Sequence, residues 1–365
     1  MSKFNLTNLA VNMYCPGNVV QMDDAGLPSV MVWIPAFRLC DVLNTTDESL
    51  HPAFIVNGVH IPGFYFSKYQ NVVHNDVAYS LPGEAIPDKM AFNQAESYSE
   101  AKGYGWHLTT AAEWAAVALW CKKNRSMPYG NNNYGKDSRE TEYKAVPTSY
   151  NGDGTIAFVA TGTGPLTWSH DKSMSGIWDL NGNGAEYLGG IRLVWGELQI
   201  LDNNDAADPD NPQNTTSTCW KAINAATGAL VDPECLTTDN AAKLSGSTIK
   251  LDLNNSVTVY TTTITNTVNV YGTGQFSKIT CTGEVSDAAK MRLRALALLP
   301  DEGASVSDYD GDEFYIQRDL KEVMFYRGGS NKAGASCGVF QGSFAIQRGS
   351  AATNACFRAA YIPNI

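Results

Sequence analysis

The stretch Arg327-Gly-Gly-Ser-Asn-Lys-Ala-Gly-Ala-Ser-Cys-Gly-Val-Phe-Gln-Gly-Ser-Phe-Ala-Ile-Gln-Arg-Gly-Ser-Ala-Ala-Thr-Asn-Ala-Cys-Phe-Arg-Ala-Ala-Tyr361 differs from everything before it. Eighteen of its 35 residues are Gly, Ala or Ser, and it contains no Asp, Glu or His. Its only charges are Arg327, Lys332, Arg348 and Arg358. A segment so rich in small residues ordinarily behaves as a flexible linker. Val339, Phe340, Phe344, Ile346 and Phe357 argue otherwise, because large apolar side chains spaced along it can each be buried and so pin the chain to a core. The expectation is a segment of fixed path whose intervening side chains face few packing demands. With neither carboxylate nor imidazole, it supplies no internal general acid or base.

The remainder bounds the function class. A chain of 365 residues suits about two domains, or one large domain with insertions. With 44% apolar and 17% charged residues it can bury a core, which argues against wholesale disorder. A net charge of -11 argues against a general binder of nucleic acid or of anionic membranes. No apolar run approaches the roughly 18–20 residues of a membrane span, so no direct membrane insertion is expected. The opening Met1-Ser-Lys-Phe-Asn-Leu-Thr-Asn-Leu-Ala10 lacks the continuous apolar core of a signal peptide. Cysteines at 15, 40, 121, 219, 235, 281, 337 and 356 include no CxxC and read as buried thiols rather than a disulfide framework. Histidines at 51, 60, 74, 107 and 170 form no HxH, HExxH or HxxxH, which argues against a histidine metal centre.

Along the chain, Met31–Phe37 reads as a strand limited by Pro35, and Gly63–Tyr69 as a strand alternating Phe64, Phe66 and the Lys68 stem against Tyr65, Ser67 and Tyr69. Phe92, Ala95 and Tyr98 share a helical face, with Gly103 as a stop. Thr110-Ala-Ala-Glu113 fits a capping box that opens a helix with Trp114, Val117, Ala118 and Cys121 as its buried stripe. Residues 126–170 are rich in Gly, Asn, Ser and Tyr and read as long surface loops. Alternating Ile249, Leu251 and Leu253, then Asn254-Asn255, then Val257 and Val259 predict a hairpin. Residues 197–290 read as a β-rich insertion, either packed on the body or standing apart.

Five blocks, in order, resemble the formylglycine-generating (sulfatase-modifying factor) branch of the C-type lectin fold. They are Met31-Val-Trp-Ile-Pro35, Phe64-Tyr-Phe-Ser-Lys-Tyr-Gln-Asn71, Trp106-His-Leu-Thr-Thr-Ala-Ala-Glu-Trp-Ala-Ala116, Gly176-Ile-Trp-Asp-Leu-Asn-Gly-Asn-Gly-Ala-Glu-Tyr187, and Arg327-Gly-Gly-Ser330 through Cys356-Phe-Arg358. The resemblance implies an α+β fold of C-type lectin type, with two helices, short strands and long loops. It divides the chain into a discontinuous domain, 1–196 with 291–365, and the insertion 197–290. The tail itself resembles the variable proteins of diversity-generating retroelements at Arg327, Gly328, Gly329, Gly334, Ala335, Gly338, Val339, Phe340, Arg348, Thr353, Phe357 and Arg358. Cys356 departs from that pattern, which has Gly there. In that family the intervening positions are diversified and line a ligand-binding face. Carried over, they are Ser330, Asn331, Lys332, Ala333, Ser336, Ser343, Ala345, Ile346, Ser350, Ala352 and Asn354. Ile346 has a second reading as core, since alternation puts it beside Phe344.

The resemblance implies a non-enzymatic binding protein. Its ligand would be a protein or glycan on a target cell surface, with homo-oligomers allowed for avidity. The absence of export and membrane signals suits a cytoplasmic protein or one carried on a phage particle. Two alternatives stand. A formylglycine-generating-type oxidase would need a tail cysteine pair for copper; Cys337 is present, but Ala333 stands where its partner would be, and Cys356 lies near another motif. A calcium-dependent sugar-binding lectin would need carboxylate motifs that Ile362-Pro-Asn364 and Thr167-Trp-Ser169 lack, though a glycan could still bind the variable face. No cofactor is required. Calcium is allowed at the family's Gly-Asn-x-x-Glu block, through Asn183, Glu186 and the Gly184 carbonyl, the alternative being a hydrogen-bonded turn. Asp179-Leu-Asn-Gly-Asn-Gly184 begins like an EF-hand loop but has Gly190 where the bidentate Glu belongs. Asp308-Tyr-Asp-Gly-Asp-Glu313 reads as a solvated turn, and Trp33, Trp106, Trp114, Trp120 and Trp178 as core.

Overall fold

In the computed structural model, which describes residues 6–363, the architecture is α+β with few helices and a large curled sheet. Asn364 of the Ile362-Pro-Asn364 string and the first five residues of the opening stretch lie outside the described residues.

A five-stranded sheet runs in the order Asn18–Met22, Pro28–Pro35, Gly63–Ser67, Ala359–Tyr361 and Trp106–Leu108. The strand at 28–35 ends at Pro35, as its missing N–H requires. Phe64 and Phe66 alternate into the core at 0% exposure. Lys68 continues that face, and its buried ammonium donates to Asn18 Oδ1 and to the Met174 carbonyl. Burial holds the Lys68 pKa below its ordinary value. Because 359–361 lies between two other strands, the tail is tethered at its end by ladders on both sides.

The larger sheet has twelve strands. Its main path is Tyr271–Gln275, Glu313–Gln317, Gly342–Ile346, Val323–Arg327, Ala185–Val194, Glu197–Ile200, Ser245–Asn254, Val257–Thr263 and Thr280–Cys281. The hairpin expected around Asn254-Asn255 is there, with Asp252 opposite Val259 and positive φ at Asn255 and Ser256. Residues 197–290 do not stand apart. Ile249 and Leu251 are fully buried, Tyr260 donates to the Leu298 carbonyl at 3.1 Å, and the 271–275 strand pairs with 313–317 in the main body. The insertion therefore extends the body's sheet and closes one edge of it.

The capping box at Thr110 forms as read: Glu113 N–H donates to Thr110 Oγ1 at 3.1 Å, and Thr110 N–H to Glu113 Oε2 at 3.0 Å. The helix Ala111–Lys123 that follows buries every residue from Ala111 through Leu119, and not a single stripe, because the 185–194 strand, the turn at 52–54 and the helices at 39–42 and 287–295 pack around it. The helix Phe92–Glu100 buries Phe92, Ala95 and Ser99. Helices at Leu6–Tyr14 and Asp287–Ala295 were not expected; the second is capped by Ser286, whose Oγ accepts from Ala289 N–H at 3.2 Å.

Residues 126–170 correct the surface-loop expectation. They hold no extended strand, but Asn131, Asn132, Asp137, Val159 and Trp168 are buried. Asn131 donates to Asn183 Oδ1 at 3.1 Å, and Asp137 accepts from Gly130 N–H at 3.0 Å. Polar side chains here satisfy the backbone groups that a buried loop would otherwise leave without partners.

Candidate functional site

The tail's path is set by its anchors. Val339, Phe340, Phe344 and Phe357 are at most 2% exposed. Trp114 Nε1 donates to the Val339 carbonyl at 2.8 Å, and Phe340 N–H to Asp312 Oδ2 at 2.8 Å. Gly329 lies at φ +72°, and a Cβ there would sit 2.0 Å from Cys337 Sγ. A Cβ on Gly338 would lie 2.3 Å from an Asp312 carboxylate oxygen. Glycine is demanded at both positions by close approach.

Three arginines clamp the segment. Arg327 donates to the carbonyls of Phe340 at 3.1 Å and Ala297 at 2.6 Å. Arg348 holds Glu322 in a fork at 2.9 and 2.9 Å, and Arg192 shares that carboxylate at 2.8 Å. Arg358 is buried; it holds Glu186 at 2.7 and 3.0 Å and reaches the Ser67, Lys68 and Trp178 carbonyls. Of the tail's charges only Lys332 is exposed and outside such a clamp.

Between these anchors, eight of the eleven positions chosen from sequence line one concavity of about 530 Å³: Ser330, Lys332, Ala333, Ser343, Ala345, Ile346, Ala352 and Asn354. The other three do not reach it. Ser336 is half-buried and Ser350 is exposed elsewhere. Asn331 is 2% exposed, and its Nδ2 donates to the Ala157 carbonyl at 2.6 Å, so it bridges the tail to the 126–170 layer. Ser343 lines the concavity but is itself buried, within the sheet. Ile346 does not share the Phe344 face. The register slips between Met324 and Phe325, pairing Phe325 with Phe344 and Met324 with Ile346, so Ala345 is the extra residue of a bulge. The bulge moves Ile346 to the outer face, where it packs beside Met324 and Tyr187 and rims the concavity.

Sequence reasoning missed the floor of this depression. Tyr315, Ser343 and Tyr326 lie in register across three strands, and Tyr271 lines the same space. Gln341, 4% exposed, also lines it, and its Oε1 accepts no hydrogen bond. Each of the strands 313–317 and 323–327 carries a single tyrosine, and nothing local marks that both strands flank the tail.

Calcium does not fit the Asn183–Gly184–Glu186 block. Both Glu186 oxygens accept from Arg358, and Oε1 also from Gln70 at 3.0 Å. The Gly184 carbonyl accepts from Gln70 at 2.9 Å, and Asn183 Oδ1 from Val159 N–H at 3.0 Å. Every oxygen that would ligate a cation faces a donor instead, one of them a guanidinium. The hydrogen-bonded turn is what forms.

All eight cysteines are unpaired, four buried and four half-buried. Cys337 is buried, its Sγ within 3.1 Å of the Gly328 carbonyl, and burial holds both its thiol and that of Cys356 well above the ordinary pKa. Neither is poised as a thiolate. Asp312 corrects the solvated-turn expectation for 308–313: it is 1% exposed and ties that turn to the tail. Trp106, Trp114 and Trp178 are core, whereas Trp33 and Trp120 are half-buried and line a separate depression of about 640 Å³ that no predicted position reaches. Among the described residues no helix is long and apolar enough to cross a membrane. No family model matches the chain, and no curated protein matches it either.

Proposed function

We propose that this chain is a ligand-binding protein, not an enzyme, built on a C-type lectin scaffold of the formylglycine-generating type, with its tail as the diversified surface of a retroelement variable protein. The observation that carries the reading is the separation of roles within 327–358. Eight of the eleven positions chosen as replaceable converge on one concavity, while the anchors between them are buried and clamped. A surface held in this way binds without a large ordering cost. The buried Cys337, bonded to backbone oxygen and lacking a nearby thiol partner in the tail's motif, supports binding over copper-thiolate oxidation. The ligand would be a protein or glycan on a target surface.

The DNA flanking the coding segment for 327–358 tests this. A near-copy of that segment beside a reverse-transcriptase gene is the expected finding. Its absence from an intact locus, or copper-dependent oxidation of a sulfatase peptide lost in Cys337→Ala, would overturn the proposal.

A further inference from the structure

The concavity has a part that the tail does not supply. Tyr271 comes from the 271–275 strand of the insertion, Tyr315 from 313–317 and Tyr326 from 323–327. Thr273 pairs with Tyr315, Tyr315 with Ser343 and Ser343 with Tyr326, which places these side chains in one row across four strands. Tyr271, two residues from Thr273, points to the same side of the sheet. Its phenol is close enough to influence the ionisation of both Tyr315 and Tyr326. One phenol is already oriented, Tyr315 Oη donating to Glu313 Oε2 at 2.8 Å, and Tyr326 stands opposite Ser343 in the ladder. Tyr271 is 53% exposed.

The rest of the lining is uncharged except for Lys332 and contains no carboxylate. Hydroxyl and amide side chains from Ser330, Ser343, Thr353 and Asn354 stand around the tyrosines. Gln341 adds an amide oxygen that is buried and without a donor. A buried acceptor left unsatisfied carries its desolvation cost uncompensated, so a ligand hydroxyl reaching it would recover free energy. The volume, about 530 Å³, falls within the range of small-ligand sites.

Resting on the binding reading above, we propose that the fixed tyrosines 271, 315 and 326 form a stacking floor for a neutral saccharide, with Gln341 accepting a ligand hydroxyl and no metal taking part. The apolar C–H face of a sugar ring lies on a tyrosine ring, and its hydroxyl edge meets the amide and hydroxyl rim. A charged sugar lacks a matching fork of arginines, since Arg327, Arg348 and Arg358 are all committed inside the protein. The diversified positions then select among saccharides, while the floor and Gln341 hold the feature common to them. The insertion is part of the site, because it delivers Tyr271.

The test uses the full chain, with neutral mannose, galactose and N-acetylglucosamine oligosaccharides as probes, followed by saturation-transfer NMR and calorimetry in the presence of EDTA. Binding of at least one probe, unchanged by EDTA, is expected. Tyr271→Ala and Tyr315→Ala should each weaken it tenfold or more, Tyr271→Phe less than threefold, and Gln341→Leu at least fivefold, with unfolding midpoints showing that each variant is folded. No binding of any probe, loss of binding in EDTA, or full binding by both alanine variants overturns the proposal. Ala352→Arg, at the varied rim, separates the two claims. If it blocks a ligand, saccharide or peptide, that the tyrosine variants still bind, the variable-surface reading survives and the stacking floor fails. If neither it nor the tyrosine variants alter binding, both fail.

Discussion

At the residue scale, the tail is governed by a few buried polar groups. Asp312 is the clearest, with one oxygen on Phe340 N–H and the other without a partner. Burial, helped by Asp310 and opposed by the Phe340 N–H, pushes its carboxyl pKa up to about 8. An acid whose folded-state pKa lies above its unfolded value favours the fold while protonated. That contribution is full below about 4 and is lost as pH rises through about 8. His51 and His170, both pushed down to about 4 by burial, act in the opposite sense, but only below about 6.5. Lys102, pushed down to about 8 by burial, also acts in the opposite sense, but only above about 8, so the melting temperature is expected to fall between pH 6.5 and 8. Asp312→Asn, which keeps an acceptor for Phe340, should flatten that slope; an unchanged slope would refute the assignment. Arg358 is the second such residue. Arg358→Met takes from buried Glu186 its guanidinium partner and leaves Gln70 alone on one oxygen, and denaturant unfolding should show a loss of about 3–5 kcal/mol.

At the element scale, several units declared themselves locally. Thr110 and Glu113 announce a helix start, because the cap is made within four residues. Ile249, Leu251 and Leu253 announce a strand through their period of two. The same logic failed for Ile346, since a bulge is fixed by the partner strand and leaves no mark on alternation in its own. It failed for 126–170 because Gly- and Asn-rich composition signals irregular backbone, not exposure. What the hairpin's period could not say is that its inner face packs on the body. Leu251→Ala should cost about 2–4 kcal/mol and leave a single unfolding transition followed by both far-UV and near-UV circular dichroism. Two separate transitions would make 197–290 an independent unit.

At the scale of the whole molecule, the tail is one part of a sheet system that joins both ends of the chain. Its strand 342–346 lies between 313–317 and 323–327, and its last strand between 63–67 and 106–108. A scaffold tied in this way should tolerate change at its outward positions. Lys332, Ala345, Ser350 and Ala352 replaced together by Asn, Ser, Asp and Thr should cost less than about 2 kcal/mol by chemical denaturation. Adding Asn331→Ala should cost more than any one of them, because its amide bonds the buried Ala157 carbonyl. A loss above about 3 kcal/mol for the first set would mean those groups are packed inside.

The sequence by itself determined that the last segment has apolar anchors separated by small side chains, and that a helix starts at Thr110. Each of these depends on neighbours a few residues apart, so composition and spacing are enough. Only the tertiary structure decided that Glu186 belongs to Arg358 rather than to a cation, that Asp312 is a buried tether, and that three tyrosines from distant strands share a floor with the tail. Those pairings join residues up to 172 positions apart. They follow from strand order and register, which one-dimensional periodicity does not encode.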